Sequence, residues 1–174
     1  HMDQGDCGSC WAHTTIAAVE ASRCLAHGIS EELSVAQLLK CEVRSAGCLH
    51  GYIEYAMQYM ATHGVCEEHE YSGRCSDSCA TLIKSHVETG VNASMTTLES
   101  MVAISPVVAH IDSSHLDGYT AGVFSTAENC SFVDHAVLVV GYNNQVSPPY
   151  WIVQNTWGAE WGTGGFMYLS LIHI

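Results

Sequence analysis

At 174 residues the chain is long enough to bury a sizeable core without depending on disulfides, as one compact unit or two small lobes sharing a core. Only 5 Lys and Arg stand against 18 Asp and Glu, and the net charge of −13 argues against nucleic acid and anionic membrane as partners. No stretch is apolar over transmembrane length, since Ala136 to Val140 is only strand length.

His1-Met2 reads as a cloning scar and is set aside, leaving a single domain over 3–174. Residues 4–11, Gln4-Gly5-Asp6-Cys7-Gly8-Ser9-Cys10-Trp11, place two glycines and two cysteines directly before a helical pattern. Ala12, Ile16 and Val19 give a helix over 10–26 its buried side, and Gly28 marks its end. Ser9 suits the N-cap, so Cys10 opens the helix. A thiol there lies against the positive end of the helix dipole, which favours the thiolate. A second helix is expected over 34–40 with Val35, Leu38 and Leu39 inward, and a third over 52–62 with Ile53, Met57 and Met60 inward. Cys66, Cys75 and Cys79 lie among polar residues in 64–80, which reads as a disulfide-pinned loop, and 97–103 reads as one more short helix.

After Pro106 the pattern changes to β-rich runs at 107–112, 136–142, 150–154 and 166–171, separated by Gly, Pro and Asn. Helices first and strands later predict an α+β chain, with a helical lobe over about 3–100 and a β lobe over about 101–174.

Nine cysteines are many for a cytosolic protein, and the odd number suits four disulfides plus one free thiol. The sequons Asn92-Ala93-Ser94 and Asn129-Cys130-Ser131 also suit a secretory route. Protonating all 11 histidines while the carboxylates stay ionised would bring the charge from −13 to −2, so self-repulsion falls in an acidic compartment. These features point to a lysosomal, vacuolar or secreted location.

A nucleophilic cysteine needs a base, and the base needs an orienting group. Cys10 has candidates for both. His135 lies in Asp134-His135-Ala136-Val137-Leu138, and Asn155 lies in Gln154-Asn155-Thr156-Trp157-Gly158. They follow Cys10 by 125 and 145 residues (135 − 10 and 155 − 10). The cysteine segment, the His-bearing strand and the Asn-Thr-Trp-Gly run, in this order, resemble the three motifs of the papain and cathepsin family of cysteine proteases. The resemblance covers most of 4–170, with Thr156 standing where the family has serine.

The resemblance implies a papain-like two-lobed fold, a helical lobe plus a β lobe with the active-site cleft between them, and a cysteine endopeptidase working through a thiolate acyl-enzyme. Cys10 would be the nucleophile and His135 its base and later acid. Asn155 would orient the imidazole, Trp157 would shield that hydrogen bond, and Gln4 with the Cys10 amide would form the oxyanion hole. Gly51, His50, His110, Asp134 and Trp157 would lie on the substrate side. The family's Cys-x-Gly-Gly strip reads Cys48-Leu49-His50-Gly51 here, and His110 stands where the family has a small apolar residue in a pocket wall.

Disulfides Cys7–Cys48 and Cys41 with Cys75 or Cys79 are likewise implied. The chain is expected to lack the family's first segment and its final stretch, which usually partners the cysteine at the position of Cys130; that leaves Cys130 free or paired outside the family pattern, for which Cys24 is a candidate. No metal or cofactor is expected. Peptide or protein substrates, a propeptide and protein inhibitors are the expected partners. The absence of an insertion resembling a paired-histidine occluding loop favours endopeptidase over dipeptidyl release, and His69 in the cysteine-rich loop keeps that choice open. Three competitors remain: a non-catalytic binding protein on the same fold, a redox protein using Cys7 and Cys10, and a zinc site.

Overall fold

The computed structural model describes residues 1–75, 79, 82–83, 94–125 and 132–171. Asn92, Asn129 and Cys130, on which the sequons and one disulfide expectation rest, lie outside the described residues. The chain divides into two compact units, one of Asp6–Val91 and one of His1–Gly5 with Asn92–Ile174.

The Asp6–Val91 unit holds helices α1 (Cys10–His27), α2 (Val35–Cys41) and α3 (Ile53–Thr62) and an antiparallel ribbon of β1 (Val65–Cys66) and β2 (Leu82–Ile83). Helix α1 buries Trp11, Ala12, Ile16 and Val19 along one side. It stops at Gly28, whose φ of 68° is open to glycine at little cost and whose N–H closes the helix on Cys24 O at 2.8 Å. Helix α3 buries Ile53, Met57 and Met60, the expected stripe.

Helix α2 differs from its expected face. Leu38 is buried, but Val35 and Leu39 are only half-buried, and Gln37 takes a core position. The reason is polar: Gln37 Oε1 accepts the Cys66 N–H at 2.8 Å, and its Nε2 donates to Tyr59 Oη at 3.4 Å, tying α2 to β1 and α3.

Disulfides Cys7–Cys48, Cys41–Cys75 and Cys66–Cys79 close this unit over separations of 41, 34 and 13 residues. Loops of that size contribute roughly 3–4 kcal/mol each in the loop-entropy account. Cys10 and Cys24 are both free thiols. Two unpaired thiols stand among the described residues where the sequence points to one, and the expectation for Cys130 lies outside the described residues.

Among the described residues the other unit is a five-stranded sheet with one helix. Helix α4 (Met95–Val102) precedes β3 (Val107–Ile111), β4 (Val123–Phe124), β5 (His135–Asn143), β6 (Tyr150–Gln154) and β7 (Phe166–Ser170), in the order β3-β5-β6-β7-β4. All pairings are antiparallel except β4 with β7. Val137, Val139, Trp151, Val153, Met167 and Leu169 form its core with Leu98 and Val102 of α4.

That packing moves the boundary. The expected helical lobe ran to about 100, but α4 buries its apolar side on the sheet and so belongs with the strands. Residues 1–5 belong there too: Asp3 bridges Trp157, and the Gln4 N–H donates to Thr156 O at 2.8 Å. His1 and Met2, set aside from the sequence, take part in this. Met2 O accepts the Gly158 N–H at 2.9 Å, and the His1 ring meets Phe166 edge-on at 6.2 Å. Strand β5 is an interior strand between β3 and β6, and its residues His135 to Val139 are all buried, the continuous pattern of a strand covered on both faces.

Candidate active site

Cys10 is the first residue of α1 and is half-buried. Ser9 precedes it but does not cap with its side chain. Its φ and ψ of −107° and 16° turn the hydroxyl back to Cys7 O at 3.4 Å, while its carbonyl accepts the Ala12 and His13 N–H groups at 3.0 and 3.1 Å. No acidic residue stands in the first turn, so nothing there offsets the positive end of the helix. Cys7 is bonded to Cys48, which removes the reversible Cys7–Cys10 pair of the redox reading.

Three contacts fasten the cysteine segment to the Cys48–Gly51 strip and to Gly47 just before it. One is that disulfide. The Gly8 N–H donates to Cys48 O at 2.7 Å, and a Cβ on Gly8 would itself come within 2.7 Å of the same oxygen. Trp11, next to Cys10, donates from Nε1 to Gly47 O at 3.2 Å. Gly51 lies against the Trp11 indole so closely that a Cβ would sit 2.2 Å from Cε2. His50 beside it is exposed and meets Tyr52 edge-on at 5.9 Å.

In the sheet unit, His135 begins β5 and is 5% exposed. Its Nε2 lies 2.7 Å from Asn155 Oδ1, which also accepts the Thr156 N–H at 2.8 Å. An amide oxygen can only accept, so Nε2 carries the hydrogen and Nδ1 is the basic nitrogen. The Asn155 backbone N–H is held by Gly165 O at 2.9 Å. Burial, the largest influence, holds the imidazole pKa below its ordinary value of 6.5, against the Asn155 hydrogen bond and the Asp134 charge, which both raise it. The Trp157 ring lies 5.0 Å from His135 at 35° and meets Trp161 edge-on at 5.3 Å.

Gln4 is placed by Thr156 twice. The Thr156 carbonyl accepts the Gln4 N–H, and the Thr156 hydroxyl donates to Gln4 Oε1. That fixes the oxygen side of the amide and turns its NH2 the other way. Thr156 is fully buried, and one residue thus holds both Asn155 and Gln4. The sequence shows only Thr156 standing where the family has serine; the hydroxyl common to both is the signal that could have pointed to this contact.

Asp134 is exposed and accepts the Ser113 N–H at 2.9 Å. His110 pairs with Ala136 in the sheet. Its neighbours Val107, Ala109 and Ile111 pack into the core, and strand alternation sends the exposed His110 to the opposite face. It is therefore not a packed histidine. Gln4, Asp134, His135, Asn155 and Trp157 gather in the sheet unit; Cys7, Cys10, Cys48, His50 and Gly51 gather in the helical one. Among the described residues no three His, Cys, Asp or Glu side chains are grouped to hold a metal ion, and no helix is long and apolar enough to cross a membrane.

The sequence profile of the family described as papain family cysteine protease matches residues 1–172. The viral cathepsin of Cydia pomonella granulosis virus is 34% identical over 171 residues, covering 94% of this chain and 51% of that protein. The chain spans about half the length of several curated relatives that it matches. The crystal structure of the Carica candamarcensis cysteine protease CMS1MS2 in complex with E-64 superposes with a TM-score of 0.87 at 34% identity, covering 97% of this chain and 81% of that one. The proform of the ragweed pollen cysteine protease Amb a 11 superposes with a TM-score of 0.84 at 31% identity, covering 97% of this chain and 49% of that one.

Proposed function

Because the chain belongs to the papain family of cysteine proteases, we propose that it hydrolyses peptide bonds as a cysteine endopeptidase through a covalent acyl-enzyme. Cys10 supplies the attacking sulfur. His135 takes its proton at Nδ1 and later returns it to the leaving amine. Asn155 holds the imidazole in the tautomer that makes Nδ1 the base. Trp157, against the ring, keeps water from that hydrogen bond. The Gln4 NH2 and the Cys10 N–H donate to the oxyanion as it forms. Gly51 pairs with the substrate backbone, with His50, His110 and Asp134 along the substrate path.

The observation that most supports this reading is the 2.7 Å bond from His135 Nε2 to Asn155 Oδ1 under the Trp157 ring. It has the form of the base-and-orienter pair that nucleophilic catalysis needs. The natural partners are peptides and proteins as substrates, with a propeptide or protein inhibitors as regulators; relatives have been seen with E-64 and in a proform. Three disulfides and the acidic surface suit a lysosomal, vacuolar or secreted setting. The test is hydrolysis of a peptide library at acidic and neutral pH, with Cys10→Ala as control. Turnover by the wild type alone is expected; equal turnover by both proteins overturns the assignment.

A further inference from the structure

The strip Cys48–Gly51 leads, on its N-terminal side, to a buried carboxylate that the chemistry above does not use. Glu42, just after α2, is 3% exposed, yet both of its oxygens are engaged locally. Its Oε2 accepts the Ser45 N–H at 2.7 Å. Its Oε1 accepts the Arg44 N–H at 3.2 Å and Arg44 Nε at 3.0 Å. Arg44 then crosses to α3, donating to Gln58 Oε1 at 2.6 Å and Tyr55 O at 3.2 Å, with its guanidinium 4.3 Å from the Tyr55 ring centroid. Ser45 Oγ accepts the Tyr52 N–H at 3.3 Å, which pins the far end of the strip. Between these ends the turn closes on itself, Ala46 N–H to His50 O at 2.8 Å and Leu49 N–H to Ala46 O at 3.0 Å.

We propose that Glu42, through Arg44 and Ser45, is a positioning residue that sets the height and angle of the Leu49-His50-Gly51 strip against which substrate backbone pairs. The proposal rests on the protease reading above and names the device behind one of its substrate contacts. The opposite edge of the strip is fixed by Trp11 and Cys7, on the segment that carries Cys10. Glu42 therefore sets the remaining freedom of the loop. A carboxylate is required because three N–H donors converge on it. Glutamine offers one acceptor oxygen, so its NH2 would face an N–H and push the turn open. The groups facing Glu42 are Arg44 and Ser45 alone among the contacts described, and burial, which raises its pKa, is outweighed by these hydrogen bonds, so it stays ionised below the usual carboxylate range.

The experiment compares wild type, Glu42→Gln and Arg44→Ala, with Arg23→Gln, which breaks the half-buried pair that Arg23 of α1 makes with Glu31, as the structural control. Two readouts are taken: KM and kcat on a tetrapeptide amide substrate that spans the strip, and the rate of Cys10 alkylation by iodoacetamide, which is too small to use it. Glu42→Gln and Arg44→Ala are expected to raise KM about five- to tenfold, the factor carried by one lost hydrogen bond. Alkylation should change less than twofold, and Arg23→Gln should change neither. In wild type alone, KM should rise as pH falls below the ordinary carboxylate range. Unchanged KM in both variants, or an alkylation rate that falls as much as KM rises, overturns the proposal. A wild-type chain that cleaves no peptide overturns the protease reading and this one with it.

Discussion

Gly51→Ala probes the fit between the strip and the nucleophile segment. Gly51 has no unusual backbone requirement, since its φ lies outside the left-handed region. The substitution therefore tests space alone. The new methyl would stand 2.2 Å from Trp11 Cε2, 1.2 Å short of the 3.4 Å at which contact becomes ordinary. The indole cannot swing away freely, because it is 2% exposed and its N–H holds Gly47 O. Overpacking of this kind costs about 1–3 kcal/mol. At about 3 °C per kcal/mol for a chain of this size, Tm should fall by roughly 3–9 °C. Because Trp11 adjoins Cys10, kcat should fall with it. Gly118→Ala is the matched control: its Cβ would meet nothing within 4 Å and its φ is ordinary. Thermal unfolding by circular dichroism decides. A Gly51→Ala protein within about 1 °C of wild type would refute the packing argument, since overpacking of 1 kcal/mol already exceeds that shift.

Other expectations concern titration and specificity. His135 has a pKa held down by burial, so its folded-state stability is complete above the ordinary value of 6.5 and is lost as pH falls below it. In Cys10→Ala, which removes the proposed thiolate partner, quenching of Trp157 by the imidazolium should show a midpoint below 6.5; a midpoint above it contradicts the burial argument. Glu42 has the opposite sign of group but the same direction of effect. Its pKa is lowered, so its stabilisation is present above the ordinary carboxylate pKa and disappears as pH falls through the lowered one. Urea unfolding should find Glu42→Gln about 1–3 kcal/mol less stable at neutral pH, with the gap closing in acid. Exposed His110, if it faces the substrate as proposed, should favour Glu over Leu at the second residue before the cleaved bond, more at about pH 5 than at about pH 7.5. A ratio of kcat/KM indifferent to pH and to His110→Ala would exclude that role.

Helical periodicity made α1 and α3 legible down to the buried residues Ile16, Val19, Met57 and Met60. The four longer strands were legible because β-branched runs stand between Gly, Pro and Asn breaks. Contacts between distant residues were not. Nothing local says that Gln37 belongs in the core, because its burial depends on Cys66 and Tyr59, 29 and 22 residues away. Strand β4 is two residues long and pairs parallel to β7, too short for any periodicity. The assignment of α4 to the sheet unit follows from where Leu98 and Val102 pack, which an amphipathic pattern leaves open. At the site, motif order singled out His135 and Asn155, which the fold joins at 2.7 Å. The double hold of Thr156 on Gln4, and the role of Gly51 as a seat for Trp11, needed three dimensions.

The central claim is that Cys10 is the nucleophile, and the chain carries its own control. Cys24 is also a free thiol and is the more exposed of the two. A covalent thiol-protease inhibitor should therefore be mixed with the protein at acidic pH and the adduct mapped by mass spectrometry, alongside loss of peptide hydrolysis. One equivalent on Cys10, none on Cys24, and loss of turnover in proportion is the predicted result, with Cys10→Ala and His135→Ala both unlabelled. Labelling of Cys24 in preference to Cys10, or full turnover by a protein whose Cys10 is blocked, would contradict the account.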